Sequence, residues 1–150
     1  MVRIGNSSID GQGLFAAQDI TKRTRIIAYI GEKITRQESA RRLEAGNAYI
    51  FHLNYRYALD GATLANSARY INHSCDPNAG IKDSIKIVAM KNIRRDEEVT
   101  FDYSTTESES GWYLICHCKN KNCRRIIRFY KFLSAELKLR YRDFISEYLK

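Results

Sequence analysis

The sequence predicts a mainly β domain with some α, closed by a helical C-terminal extension. Three observations lead there. Most of the chain breaks into short apolar runs that alternate along one face. A single window among them carries both the start and the stop signal of a helix. From Ile126 onward the apolar spacing changes to three or four residues. At 150 residues, with 44% hydrophobic and 28% charged side chains, the chain is long enough to bury one core and too apolar to be disordered.

In chain order, Arg25–Ile30 is an apolar run ending at Gly31, as a strand meeting a turn does. Thr35-Arg36-Gln37-Glu38 fits a capping box, and Gly46 stands where the helix it opens should stop. Tyr49, Phe51 and Leu53 share one face of a strand, which turns His52 to the other. Tyr57-Ala58-Leu59 runs into Asp60-Gly61, a hairpin-turn signal. Ile85–Met90 is a further apolar run. Glu98–Tyr103 alternates Val99, Phe101 and Tyr103, so these two aromatics should enter the same space. At the end, Ile126, Tyr130, Leu133, Leu137, Tyr141, Phe144 and Tyr148 form an amphipathic stripe, read as one long helix or as two with Ser134 capping the second. There is no internal repeat, and Pro77 is the one proline.

No apolar run is long enough to cross a membrane, and the first residues hold no stretch of signal-peptide length. The expectation is a soluble intracellular protein, in a nucleus (its own or a host's) or in a bacterial cytoplasm. The formal net charge of +8 is unevenly placed: Lys119–Lys150 carries 10 basic against 3 acidic residues. Such a tail suits nucleic acid, an anionic surface or an acidic partner, or it is the solvated face of a terminal helix.

Four cysteines carry the first chemical signal. Cys116, Cys118 and Cys123 form C-x-C-x4-C, with Cys75 far upstream. A pair separated by one residue does not reach disulfide geometry easily. Four thiols are one zinc ion's worth of tetrahedral donors, three of them in one short loop. His117 lies between two of these and should point away. Around them stand Gly11-Gln12-Gly13-Leu14, Tyr29-Ile30-Gly31-Glu32, Arg69-Tyr70-Ile71-Asn72-His73-Ser74-Cys75 and Glu98–Tyr103. Gly-x-Gly alone is weak and lacks the third glycine of a dinucleotide fingerprint. Five motifs in this order are far more specific.

In that order they resemble the SET-domain protein-lysine methyltransferases, in the compact form with a post-SET cysteine motif and no cysteine-rich module before the domain. The resemblance spans roughly residues 3–125. It implies a SET domain over residues 1–111, a post-SET zinc segment over 112–125, and a basic amphipathic helical extension over 126–150 outside the shared pattern. Ala65 stands where the family often has glycine before the asparagine, here Asn66. The implied fold is several small β-sheets with a threaded C-terminal segment. The implied cofactors are S-adenosylmethionine and Zn2+, the metal held by Cys75, Cys116, Cys118 and Cys123.

By the same resemblance Gly11, Gly13, Leu14, Arg69, Asn72 and His73 are cofactor-binding, and Trp112 or Leu114 covers the adenine. Tyr29, Phe51, Phe101 and Tyr103 line the substrate channel, with Tyr103 and Tyr29 catalytic. A lysine side chain has a pKa near ~10.4, so an aromatic channel that desolvates the amine favours the neutral nucleophile. Phenylalanine at Phe101 implies room for di- or trimethylation. The implied substrate is a histone or another lysine-rich protein. The rival reading is a non-catalytic, zinc-stabilised module that holds chromatin or nucleic acid through the basic tail.

Overall fold

The computed structural model describes Met1–Lys150. Twelve short strands, numbered in chain order, make four small sheets. The largest has the order β1 (Val2–Asn6), β2 (Gln12–Ala16), β10 (Glu98–Phe101), β7 (Asn72–His73). A second joins β3 (Arg25–Ala28), β9 (Lys86–Ala89) and β8 (Ala79–Lys82). A third joins β4 (Glu32–Thr35), β6 (Tyr57–Asp60) and β5 (Ile50–His52), and a hairpin pairs β11 (Tyr113–Ile115) with β12 (Ile126–Arg128). The first three sheets bury one continuous core through Leu14, Phe51, Ile71, Ile81, Ile87 and Val99. Apolar side chains from strands this short are covered only when several sheets share a core.

Helix α1 (Arg36–Glu44) starts and stops as its sequence dictates. The Thr35 hydroxyl accepts from the Glu38 amide at 3.1 Å. Gly46, at φ +94°, ends it with paired amide bonds, Gly46 to the Leu43 carbonyl and Asn47 to that of Arg42. The Glu38 carboxylate turns instead to Arg41 and Arg42, so only half of the capping box forms. The turn expected at Asp60-Gly61 lies elsewhere. The β5–β6 hairpin closes at residues 53–56, where the Asn54 side chain accepts from the amides of Arg56 and Tyr57. Asp60 instead ties α1 to the sheet through Arg42 (2.6 Å) and Asn47 (2.8 Å).

The C-terminal stripe divides differently from the expected helix. Residues 126–128 are strand β12, whose Ile127 is fully buried opposite Leu114. Beyond β12 the chain makes a 3-10 turn at Tyr130–Phe132, helix α2 (Ala135–Arg140) capped by Ser134, and two further 3-10 turns. A continuous helix would present one face, whereas these apolar side chains meet separate parts of the domain. Tyr141, Leu133 and Ile145 are buried together, and Phe144 fills the space a side chain at Gly80 would need. The Tyr130 and Ser146 amides donate to the carbonyls of Glu107 and Thr105, so the tail is part of the fold. Several of its cations are spent internally, Arg124 on Asp102, Arg140 on Asp76 and Lys150 on Glu147.

Tyr141→Ala therefore removes a fully packed ring, at a cost of about 3–5 kcal/mol. Urea unfolding should show that loss as a lower midpoint, and a change below about 1 kcal/mol would mean that the tail is not packed as described.

Candidate active site

The site is built where β7 runs parallel to β10, with Asn72 beside Thr100 and His73 beside Phe101. This pairing brings the Asn72–Cys75 motif against the strand that ends in Tyr103. Asp102 then caps a 3-10 turn, Tyr103–Thr105, by accepting from the Ser104 amide at 3.0 Å. The turn aims the Tyr103 ring at Phe101 (centroids 4.8 Å apart) and its hydroxyl at the Ile71 carbonyl, to which it donates at 2.7 Å. Burial pushes the Tyr103 phenol above its ordinary range, so it keeps its proton.

Tyr103 stands between two cavities and is the one residue that lines both. The larger, about 190 Å³, gathers all four expected channel residues, Tyr29, Phe51, Phe101 and Tyr103. Tyr29 stacks on Phe51 at 4.7 Å and donates its hydroxyl to the Tyr49 carbonyl, and burial raises its pKa too. A Cβ on Gly61 would sit 2.4 Å from that hydroxyl, which is why glycine stands there. The smaller cavity, about 60 Å³, is walled by Asn72, His73 and Leu114, with Asp10 and Cys116.

The remaining expected cofactor residues are distributed differently. Arg69 and Trp112 face the larger cavity. The Arg69 guanidinium lies over the rings of Tyr49 and Tyr70, each at 4.7 Å, and Nη1 donates to the Ala62 carbonyl. Stacking and hydrogen bonding fix it there, away from Asn72. Leu14 is fully buried in the core. Gly11 takes φ +44° in the loop before β2. The space beside Gly13 is filled by Glu98, whose carboxylate would be 2.3 Å from a Cβ. That carboxylate accepts from Ser7 and from the Asn72 amide, both at 2.8 Å. The same Asn72 nitrogen lies 3.1 Å from the carbonyls of Asp10 and Gln12, sharing its two N–H groups among the three acceptors and holding the glycine loop beside the smaller cavity.

His73 is a buried connector. Burial, against the pull of Asp102, lowers its pKa to about 4, so the ring is neutral. Its Nδ1 accepts from the Tyr103 amide at 3.2 Å, which leaves the proton on Nε2, 3.4 Å from Cys75 Sγ. The four cysteine sulfurs all lie within 4.8 Å of one another, with Cys75 and Cys116 3.8 Å apart. A tetrahedron with Zn–S bonds of about 2.3 Å has sulfurs about 3.8 Å apart, so this donor set fits zinc. Backbone amides of Cys118, Arg124 and Arg125 point at three of the sulfurs at 3.3–3.4 Å, as thiolates require. Burial raises the Cys75 and Cys116 thiols, while hydrogen bonds outweigh burial at Cys118 and lower it to about 6. His117 is exposed, away from the cluster.

Sequence reasoning did not single out the ion pair beneath this site. Arg124 donates to Asp102 at 2.6 Å, with the carboxylate almost wholly buried. Its signal was the alternation itself, which places Asp102 opposite Phe101 and Tyr103. Nor did it single out Glu98, or Glu107, which meets His52 at 3.1 Å on the wall of the larger cavity. Asn66 is buried as well, accepting from the Ile30 amide and donating to the Gly61 carbonyl.

Residues 11–104 match the SET domain family, and the chain belongs to it. Among its relatives, human histone-lysine N-methyltransferase 2D is 36% identical over 137 residues, covering 83% of this chain. The Aspergillus oryzae enzyme named "Histone-lysine N-methyltransferase, H3 lysine-4 specific" is 34% identical over 82% of this chain. The chain spans 2% and 11% of those two proteins. A solved structure described as "ctPRC2 in an autoinhibited conformation bound to S-adenosylmethionine" shares 34% identity at a TM-score of 0.64, covering 72% of this chain and 16% of that one.

Arg124→Ala would leave Asp102 buried and unpaired under the Tyr103 turn. Loss of about 3 kcal/mol in urea unfolding is expected, and less than about 0.5 kcal/mol would show that the pair does not hold the turn.

Proposed function

We propose that the chain is an S-adenosylmethionine-dependent protein-lysine N-methyltransferase. The observation that carries this is the pair of cavities with only Tyr103 in common. Direct transfer between two bound reactants holds donor and acceptor together at one reacting centre, and two cavities meeting at one residue suit that arrangement. The names of the relatives, and the S-adenosylmethionine bound in the structural neighbour, agree with this reading.

S-adenosylmethionine supplies the methyl group. Asn72, Leu114 and the His73 backbone would hold it in the smaller cavity, beside the loop of Gly11 and Gly13. At about 60 Å³ that cavity would hold only part of the donor. The acceptor lysine enters between Tyr29, Phe51 and Phe101. These rings strip water from the amine and favour its neutral form, which has the lone pair that attack needs. The neutral amine would take the methyl group, and the proton left on its nitrogen would go to water. Tyr103 positions the amine and remains protonated throughout.

Cys75, Cys116, Cys118 and Cys123 would bind one zinc ion. The metal would pin the segment 116–123 against Cys75, and through His73 against the Tyr103 amide. The substrate is a histone or another lysine-rich protein; a histone would put the activity in a nucleus, the cell's own or a host's, and another basic protein equally suits a bacterial cytoplasm.

With labelled S-adenosylmethionine and purified histones, Tyr103→Phe should lower kcat by about 100-fold while the fold is kept. Equal rates in the two proteins would contradict the assignment. Phe101→Tyr should shift the products, read by mass spectrometry, from di- and trimethyl-lysine towards monomethyl-lysine. Metal analysis should find one zinc per chain, lost with Cys118→Ser. A metal-free wild type with an unchanged unfolding midpoint would rule zinc out as a structural element.

A further inference from the structure

Beyond the larger cavity the surface continues into a groove that no step of the transfer uses. Trp112 lines both spaces, so the groove begins where the acceptor cavity ends. Its volume is about 510 Å³. Its walls include Tyr113, Phe129 and Phe132, with Phe129 and Phe132 edge-to-face at 5.1 Å and Tyr113 and Phe132 each more than half exposed. Two cations, Arg128 and Lys131, stand among them, and no carboxylate lines the groove. Neither cation is in an ion pair; Arg128 lies over the Phe132 ring at 5.0 Å. Arg124, Arg140 and Lys150, by contrast, are neutralised within the fold.

We propose that this groove is a specificity subsite for the protein substrate, taking an anionic side chain (Asp, Glu or a phosphorylated residue) that flanks the target lysine. The inference rests on the reading of the larger cavity as the lysine site. A chain whose lysine is seated there and that leaves across Trp112 enters the groove two to four residues away, roughly 7–14 Å in extended form. The aromatics cover the backbone and apolar neighbours, and Arg128 and Lys131 meet the negative charge. Substrate lysines embedded in uninterrupted basic sequence are disfavoured by the same two cations. Aromatic and basic side chains also suit single-stranded nucleic acid, but nucleic acid gives no reason for the groove to open into an aromatic lysine cavity.

Trp112 is the only tryptophan, so its fluorescence reports occupancy without any methyl donor. Three peptides are titrated, each with one central lysine and Glu, Ala or Lys at the third position on both sides. The Glu peptide should bind about 3- to 10-fold tighter than the Ala peptide, with the Lys peptide weakest. Arg128→Glu/Lys131→Glu should invert that order, and the single change Lys131→Glu, at an exposed residue, keeps the test if the double variant misfolds. Equal affinities for the three peptides would overturn the subsite. So would a 12-mer of oligouridylate that perturbs Trp112 at lower concentration than any peptide. Methyl transfer on the same peptides separates the two claims. Discrimination in binding without transfer upholds the groove and refutes the catalytic reading; transfer without discrimination does the reverse.

Discussion

The molecule depends on a parallel ladder only two residues long. Asn72 and His73 pair with Thr100 and Phe101, and the Ser74 amide donates to the Phe101 carbonyl. A ladder this short cannot hold two distant segments alone. Asn78 extends it with its side chain, accepting from the Thr100 amide and donating to the Glu98 carbonyl as a further strand would. Every functional feature hangs on this junction. It sets Asn72 beside the glycine loop, sends Cys75 towards the later cysteines, and delivers Tyr103 to the end of its strand.

Below the junction the polar groups form one connected set. Arg124 binds Asp102, Asp102 caps the turn that presents Tyr103, and His73 joins the Tyr103 amide to Cys75. Buried polar groups are costly unless matched; here all but the Arg124 Nε are paired, and matched groups fix one geometry where apolar packing alone would tolerate several. The cysteine cluster and the aromatic cavity are therefore mechanically one unit, although about thirty residues of sequence separate Cys75 from Tyr103.

What the sequence made legible was whatever depends on local spacing. Alternation put Phe101 and Tyr103 on one side, and their rings meet. Thr35 and Gly46 bracket α1 because capping is decided within a few residues. Partner choice across the fold was not legible. Asp60-Gly61 looks like a turn, but the Asp60 carboxylate is claimed by Arg42 and Asn47. Arg69 and Trp112 lie near motif residues in sequence and still face the other cavity, because Arg69 sits in a 3-10 turn and Trp112 ahead of β11, outside the strands whose alternation sets the facing of Asn72 and Leu114. In the tail, a spacing of three or four suggested a helix, but Ile127 is buried by pairing in a hairpin opposite Leu114. Glu98 was hidden because its partners, Ser7 and Asn72, lie on two other segments.

Tyr103 lines both cavities, and the proposed chemistry stands or falls on one of them being the donor side and the other the acceptor side. A crystal structure with S-adenosylhomocysteine and a lysine peptide tests it most directly. The nucleoside should lie against Asn72 and Leu114, the lysine between Phe51 and Phe101, with the sulfur and amine approaching each other past the Tyr103 hydroxyl. Both ligands on one side of Tyr103, or the nucleoside among Tyr29, Phe51 and Trp112, would contradict it.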